Sequence, residues 1–386
     1  MANADLRADH VPAGPGVSVA DQAVEASRLF SAYRLQVARQ ARALTKSGLS
    51  SRLGMSAAAL SQFELGQTRP SPATVEKLAE VLEFAPAFFS TATVMSSSAD
   101  ADDEVVDSYG HFRSRRAVTA TRRRKVLTVA HLLRDVTAFL EGHVKLPDLD
   151  IPQYTAGDLA SVSRVAASVR GELGVDADSP IDEVLRLLER RGIVCARYPM
   201  DAADVSAFSV PMEGRTFLIL KQQRDAKRDR DRFSACHELA HLVLHKPGQT
   251  LASKLVEQQA DRFASEFLMP ADAIGDELPA KVDWPKLLQL KQKWGVSMSA
   301  LLMRAKHLEV MSEATHIQAM KTMSMRGWRT DEPGTITAVE APALLGAALR
   351  VSELSPAEVS TATGWPEQMV ADLFADSKDT RPAVEF

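Results

Sequence analysis

The chain has 386 residues, of which 45% are hydrophobic and 25% are charged, a composition typical of two or three globular domains with buried cores. Its two cysteines, Cys195 and Cys236, exclude a disulfide framework, and the lack of a signal peptide or of an apolar run of about 18 residues predicts a cytoplasmic protein with no membrane partner. The net charge of -4 excludes a chain that is basic throughout, so contact with nucleic acid has to come from local charge.

The N-terminal part of the chain changes character near residue 28. Residues 1–27 are rich in Ala, Gly, Pro and Asp without sustained periodicity, which predicts a flexible tail. Residues 28–90 place apolar residues at helical spacing, interrupted by glycine and proline, and this pattern predicts four or five short helices. The turn Gly54-Met55-Ser56, with Ser56 as a helix N-cap, has the length that a helix-turn-helix requires.

Residues 51–82, SRLGMSAAALSQFELGQTRPSPATVEKLAEVL, resemble Xre-type, lambda-repressor-like DNA-binding domains. The resemblance implies a recognition helix at residues 57–65, double-stranded DNA as a partner, and a homodimer that binds paired half-sites. Residues 28–90 contain eight basic and four acidic residues, a surplus that suits phosphate contacts. The alternative is a small helical interaction module that uses this fold without DNA. The candidate DNA contacts are Lys46, Arg52, Ser61, Gln62 and Arg69.

Residues 91–150 are predicted to form a charged linker and a helix. The acidic run SSSADADDEVVD stands near the basic run HFRSRRAVTATRRRK, and a helical pattern continues from Val126 to Leu140. The basic run can supply phosphate contacts, bind the acidic run, or be solvated. The stretch LPDLDIP, which contains two prolines, predicts the entry to another domain.

Residues 151–275 are predicted to form an α+β domain. Two amphipathic segments precede three candidate strands, at residues 192–198, 204–210 and 215–221. A turn at residues 212–214 predicts a hairpin between the last two strands. The last strand, RTFLILK, is the candidate edge strand for an extended substrate, because it alternates poorly and directly precedes the helix described next.

The helical segment from Arg232 to His245 contains the pattern HExxH, as His237-Glu238-Leu-Ala-His241. Residues four apart share a helical face, so both imidazoles can reach one metal ion while Glu238 lies on the adjoining face. The alternative is an amphipathic core helix whose charges face solvent. We interpret His245 as a structural or helix-ending histidine.

The next helical stretch, residues 257–270, adds carboxylates to this pattern. Glu257 is the candidate third ligand, and Asp261, one turn further on, can orient an imidazole. Glu266 is the alternative third ligand, and otherwise we expect it to form pairs on the helix surface.

The motifs HELAH and EQQADRFASEFLMP resemble the HExxH and ExxA[N/D]xFAxxLLMP motifs of the ImmA/IrrE family, metallopeptidase-like proteins that can be fused to an Xre-type domain. The resemblance covers roughly residues 28–335. It implies that His237, His241 and Glu257 bind the metal and that Glu238 is the general base. The implied cofactor is Zn²⁺, with Mn²⁺ as an alternative at the same ligands. The implied substrate is a repressor-type protein that is cleaved in a stress response or on induction of a mobile element.

We therefore expect a multidomain, mainly α protein: an all-α helix-turn-helix domain, an α+β zincin-like metallopeptidase domain with a small sheet, and a helical region over residues 276–386. The expected function is that of a DNA-binding transcriptional regulator with a zinc-dependent peptidase domain. The alternative is a transcription factor whose peptidase-like domain is a catalytically silent sensor of a ligand or metal. Tyr198 is a candidate for stabilising the transition state.

Overall fold

The computed structural model describes residues 18–91, 120–199, 206–212, 214–222, 228–245, 253–329, 331–334, 336 and 340–375. Within these ranges the protein contains 17 α-helices and one three-stranded β-sheet. The predicted fold class, mainly α with a small sheet, is confirmed.

The first helix, α1 (Val19–Arg28), lies in the segment that was predicted to be a tail. It begins at Ser18, whose side chain accepts a hydrogen bond from the backbone N–H of Asp21, and it buries Ala23 and Ala26. The prediction was therefore wrong for this helix. Alanine has high helix propensity and a small side chain, so the composition that suggested disorder also suits close helix packing. Residues 1–17 lie outside the described residues.

The helix-turn-helix follows directly. The N-terminal domain continues with α2 (Ala32–Ala41), α3 (Lys46–Leu53), α4 (Ala57–Glu64), α5 (Pro72–Leu82) and a 3-10 helix (Pro86–Phe89). Gly54, between α3 and α4, has a φ of 67°, a left-handed conformation that glycine adopts without a steric penalty. The hydroxyl of Ser56 accepts a hydrogen bond from the N–H of Ala59 at 3.1 Å and so caps α4. The predicted helix-turn-helix is confirmed.

The long helix α6 (Ala120–Glu141) contains the predicted helical segment and begins before it. Its Asp135 is completely buried. This carboxylate accepts hydrogen bonds from Arg34 of α2 at 2.6 Å and from the indole N–H of Trp365 at 2.7 Å. Asp135 therefore links α6 to the N-terminal domain and to Trp365 near the C-terminal helices. The acidic run and the first part of the basic run lie outside the described residues, so their interpretation stays a prediction.

The sheet consists of β1 (Ile193–Tyr198), β2 (Ala207–Met212) and β3 (Arg215–Lys221), in the order β1-β3-β2. Strand β1 runs parallel to β3, whereas β2 and β3 form the predicted antiparallel hairpin. The prediction that β3 is an edge strand was wrong, because β3 is hydrogen-bonded to a neighbour on each side. Proximity in sequence to the next helix does not determine a strand's place in a sheet. Strands β1 and β2 form the two edges.

The sheet separates two hydrophobic cores, because successive side chains of a strand point to opposite faces. Phe208 and Val210 of β2 belong to the core that includes residues of α1 to α6. Ala207 belongs to the core that includes residues of α7 (Leu159–Glu172), α8 (Val184–Arg190), α9 (Arg228–Leu244) and α10 (Ser253–Leu268). The HExxH pattern lies on α9, and hence on the second side of the sheet.

The helices that follow α10 are divided between these two cores. Core residues of α11 (Ala271–Ile274), α12 (Trp284–Trp294), α13 (Met298–His307) and α14 (Glu313–Met325) lie with those of α9 and α10. Core residues of α15 (Leu344–Val351), α16 (Pro356–Thr363) and α17 (Glu367–Phe374) lie with those of the N-terminal helices. The helical region predicted at 276–386 therefore does not form a separate core. Among the residues that the structure describes, no helix has the length and apolar character needed to span a bilayer.

Candidate metal centre

Helices α9 and α10 bring together two imidazoles and a carboxylate. The Nε2 atoms of His237 and His241, one helical turn apart on α9, lie 3.2 Å from each other. Glu257 of α10 places its Oε2 3.5 Å from His237 Nε2 and its Oε1 3.9 Å from His241 Nε2. The three side chains offer ligand atoms that all lie within 4.8 Å of one another. This spacing fits one metal ion at the usual bond lengths of about 2.0–2.2 Å to nitrogen and oxygen.

Asp261 lies behind His237, one turn along α10 from Glu257. Its Oδ1 is 2.8 Å from Nδ1 of His237, so the imidazole donates its Nδ1 proton to the carboxylate and turns Nε2 toward the ligand group. Burial opposes protonation of His237, but the hydrogen bonds with Asp261 and Glu257 prevail and raise the pKa of the imidazole to about 9. A metal ion therefore competes with a proton for this nitrogen.

His241 is oriented by a different set of side chains. With its Nε2 turned toward the ligand group, its Nδ1 donates to Nδ1 of His245 at 3.0 Å. Nε2 of His245 then donates to the amide oxygen of Gln259 at 2.9 Å. The amide nitrogen of Gln259 donates to the carbonyls of Ala156 and Gly157, at 3.4 and 3.3 Å. Each donor in this series of hydrogen bonds meets an acceptor. The series therefore selects the tautomer of each ring, with the proton on Nδ1 in His241 and on Nε2 in His245.

Two residues of this hydrogen-bonded series, His245 and Gln259, were not predicted to be part of the site. His245 follows the last residue of α9, as a helix-ending histidine should, but its ring also contacts His241. The signal was its spacing of four residues from His241. Gln259 lies on α10 two residues after Glu257 and is 1% exposed. Burial of a lone glutamine depends on tertiary packing, so the sequence carries no signal for it.

Glu238 lies beside the ligand group and is held by the sheet. The backbone N–H and the hydroxyl of Ser209 in β2 both donate to Oε2 of Glu238, at 2.9 and 2.8 Å. Glu238 is only 6% exposed. Ser209 was not predicted from the sequence, because it lies 29 positions from Glu238 and no local pattern connects the two residues.

Two other side chains are directed away from the ligand group. Glu266, the alternative third ligand, is buried and accepts hydrogen bonds from Arg304 at 2.6 Å and from the N–H of Ala271 at 2.9 Å. The expectation of a pair on the helix surface was therefore wrong, because α13 covers this part of α10. Tyr198 belongs to the core on the face of the sheet opposite to α9, so it cannot stabilise a transition state at this centre.

The donor set fits a divalent ion. The Nδ1 atoms of His237 and His241 are both used by hydrogen bonds within the protein, which leaves the two Nε2 atoms and the Glu257 carboxylate for the ion. Two imidazoles and one carboxylate suit Zn²⁺, and Mn²⁺ accepts the same nitrogen and oxygen ligands.

The candidate DNA-contacting side chains differ in their exposure and in their contacts within the protein. Arg52 and Gln62 are exposed, and Ser61 is half-buried on α4. The ammonium of Lys46 is instead 3.2 Å from the carboxylate of Glu64, a buried residue.

Arg69 of the N-terminal domain donates to the carbonyl of Arg28 at 2.7 Å. Because part of its hydrogen-bonding capacity is used within the domain, it is less available than Arg52 for phosphate contact.

The fold and the two sites define a class of protein, namely a helix-turn-helix DNA-binding domain joined to a peptidase-like domain. Comparison with known families agrees with this class. Residues 188–306 match Peptidase_M78, described as the IrrE N-terminal-like domain, and residues 32–87 match HTH_31, described as a helix-turn-helix domain. The first match contains the HELAH motif, Glu257 and Asp261. The chain is a fusion of these two domains, as the resemblance implied. A comparison with curated proteins gives no match.

Proposed function

We propose that the protein is a DNA-binding transcriptional regulator whose zinc-dependent peptidase domain hydrolyses a peptide bond in a repressor-type protein. The observation that carries this proposal is the convergence of His237, His241 and Glu257 beside Glu238, a carboxylate outside the ligand group. A set of metal ligands and a separate base are the two parts that metal-assisted hydrolysis requires.

The side chains of the site have distinct roles in this proposal. His237, His241 and Glu257 would hold Zn²⁺ or Mn²⁺, and the bound ion supplies Lewis-acid chemistry for the water and the scissile carbonyl. Glu238 accepts a proton from the attacking water and donates it to the nitrogen of the leaving amine. Asp261 keeps the His237 imidazole oriented by accepting its Nδ1 proton.

In this proposal strand β2 has the substrate-binding role that was predicted for β3. It is an edge strand, and the N–H of Ser209 donates to Glu238 rather than to β3. An extended peptide that pairs with this edge would place its backbone beside the base. This arrangement favours a protein segment, rather than a compact small molecule, as the substrate.

The proposed partners follow from the N-terminal domain. Helix α4 presents Gln62 to solvent for contact with base edges, and α3 presents Arg52 for contact with phosphate. We propose double-stranded DNA as the partner and a homodimer as the binding unit, because a two-fold dimer matches paired half-sites.

A second function is favoured by one observation. The Oε2 atom of Glu238 accepts two hydrogen bonds from Ser209, so this oxygen is engaged by strand β2 and not by an attacking water. A site in which this arrangement persists would bind a metal or ligand without turnover, and the protein would then be a sensor.

The substitution Glu238→Gln distinguishes the two functions. Glutamine preserves the size of the side chain and removes the base, so zinc content and fold should be retained, while hydrolysis should fall about 10²–10⁴-fold. Wild type and variant are compared in cells for fragments of a repressor-type protein and for expression of nearby genes, with Glu309→Gln as a control outside the site. If wild type and Glu238→Gln regulate these genes equally and neither yields a fragment, the sensor function replaces the peptidase function.

A further inference from the structure

A cavity of about 490 Å³ lies beside the candidate metal centre, among α7, α9, α10 and α13. Asp261, which contacts His237, forms part of its wall. Part of the remaining wall is apolar and is formed by Leu159, Phe233 and Met303. A cavity of this size and composition is in the range that accommodates small organic molecules.

Arg262 and His307 also line the cavity, and each has a side-chain nitrogen that the described residues leave without a partner. Nε of Arg262 and Nδ1 of His307 are buried and have no hydrogen-bond partner among the described residues. No carboxylate in the described part of the chain forms an ion pair with Arg262. A buried donor that is left unsatisfied costs free energy, and the cost is larger for a charged group. The described part of the protein thus supplies no hydrogen-bond partner for these two nitrogen atoms.

Several positive side chains surround His307. Burial, together with the positive charges of Arg262 and Arg304, lowers the pKa of His307 to about 4. Arg304 is neutralised by Glu266 at 2.6 Å, and Lys306 is paired with Glu313 at 2.7 Å. Two arginines line the cavity without a carboxylate partner among the described residues: Arg230, which donates to the carbonyl of Arg329, and Arg262. The acidic residue of the cavity wall, Asp261, is engaged by His237.

We propose that this cavity binds an organic anion, with the anionic group held by Arg262 and His307 and the apolar part against Phe233 and Met303. Two sources can supply this chemistry: a free organic acid, or an acidic side chain of a peptide that lies across the metal centre. The proposal does not depend on hydrolysis. A sensor with a silent metal centre would have the same cavity.

The test measures binding of 3-phenylpropanoate and of its neutral amide, 3-phenylpropanamide, to the full-length zinc-loaded protein by calorimetry. The acid should bind at least about tenfold more tightly than the amide, because a charged acceptor gains more from buried donors. The preference should disappear in Arg262→Gln and persist in Arg164→Gln, an exposed arginine of α7 that does not line the cavity. Zinc content and circular dichroism of each variant verify that the fold is retained.

Several results would overturn the proposal. One is equal binding of acid and amide, and another is absence of binding by both. A third is that the acid binds Arg262→Gln as tightly as it binds wild type but does not bind His241→Gln. This result would mean that the acid coordinates the metal ion. If the preference for the acid over the amide depends on Arg262, a second measurement distinguishes a free organic acid from an acidic peptide side chain. An Arg262-dependent preference for acetyl-Ala-Glu-Ala-amide over its Gln counterpart assigns the cavity to a peptide side chain, and equal binding of the two peptides assigns it to a free acid.

Discussion

Ser209 donates two hydrogen bonds to one oxygen of Glu238, through its backbone N–H at 2.9 Å and its hydroxyl at 2.8 Å. This contact joins the edge strand β2 to the HExxH helix. The neighbouring residues of the strand, Phe208 and Val210, face the core shared with the N-terminal helices. The side chain proposed as the base is therefore held by a strand whose other face packs near α6, in the core that also contains residues of the N-terminal helices.

Ser209 can be tested as a positioning residue for Glu238. In Ser209→Ala the N–H bond remains and the hydroxyl bond is lost, so the carboxylate is less well fixed. Since a hydrogen bond to a charged group contributes about 1.5–3 kcal/mol, we expect cleavage to slow about tenfold or more with zinc content unchanged. Ser209→Thr keeps a hydroxyl and should restore most of the rate. Equal cleavage rates for the alanine variant and wild type would show that the hydroxyl does not position the base.

The third metal ligand can be tested by paired substitutions. Glu257→Gln should lose zinc at concentrations that saturate wild type, because the carboxylate ligand is removed. Glu266→Gln should keep zinc but lower the free energy of unfolding by about 3–5 kcal/mol, because Arg304 is left unpaired in the core. Elemental analysis and denaturant unfolding measure the two effects. Full zinc content in Glu257→Gln together with loss in Glu266→Gln would assign the ligand to Glu266 instead.

The DNA-binding prediction separates base contacts from phosphate contacts. We expect specific binding near the protein's own promoter, weakening steeply with salt as phosphate contacts release counterions. Gln62→Ala should cost about 1–3 kcal/mol of sequence preference, whereas Arg52→Ala should weaken specific and random duplexes alike.

Lys46 provides the comparison within the same domain. Because its ammonium is paired with Glu64, Lys46→Ala should change sequence preference less than Gln62→Ala does. Titrations of labelled duplexes at several salt concentrations measure both quantities. Retention of specific and random duplexes that is equal and insensitive to salt would contradict DNA recognition by this domain.

Asp135 can be used to test the contact between α6 and Arg34 of the N-terminal domain. Asp135→Asn preserves the shape of the side chain and removes the charge that neutralises Arg34, which is 5% exposed. We expect the free energy of unfolding to fall by about 3–5 kcal/mol, because Arg34 becomes an unpaired buried cation. Denaturant unfolding measures the change, with Asp372→Asn as the control, since Asp372 accepts an exposed hydrogen bond from Gln368. Similar stabilities for the two variants would show that the Arg34 pair contributes little.

The sequence by itself determined the parts of the protein that depend on local geometry. His237 and His241 share a face because they are four residues apart on one helix, and Glu257 and Asp261 do so for the same reason. The turn at Gly54 and the cap at Ser56 likewise depend on a few consecutive residues. Both families were therefore recognisable from short motifs.

Only the tertiary structure decided the contacts between distant segments. It made β3 the central strand, brought Ser209 to Glu238, and supported His241 through His245 and Gln259. It also buried Glu266 against Arg304. The physical reason is that a hydrophobic pattern specifies which face of an element is buried but not which element covers it. Partner choice depends on packing and hydrogen bonding summed over both cores, and no single segment contains that information.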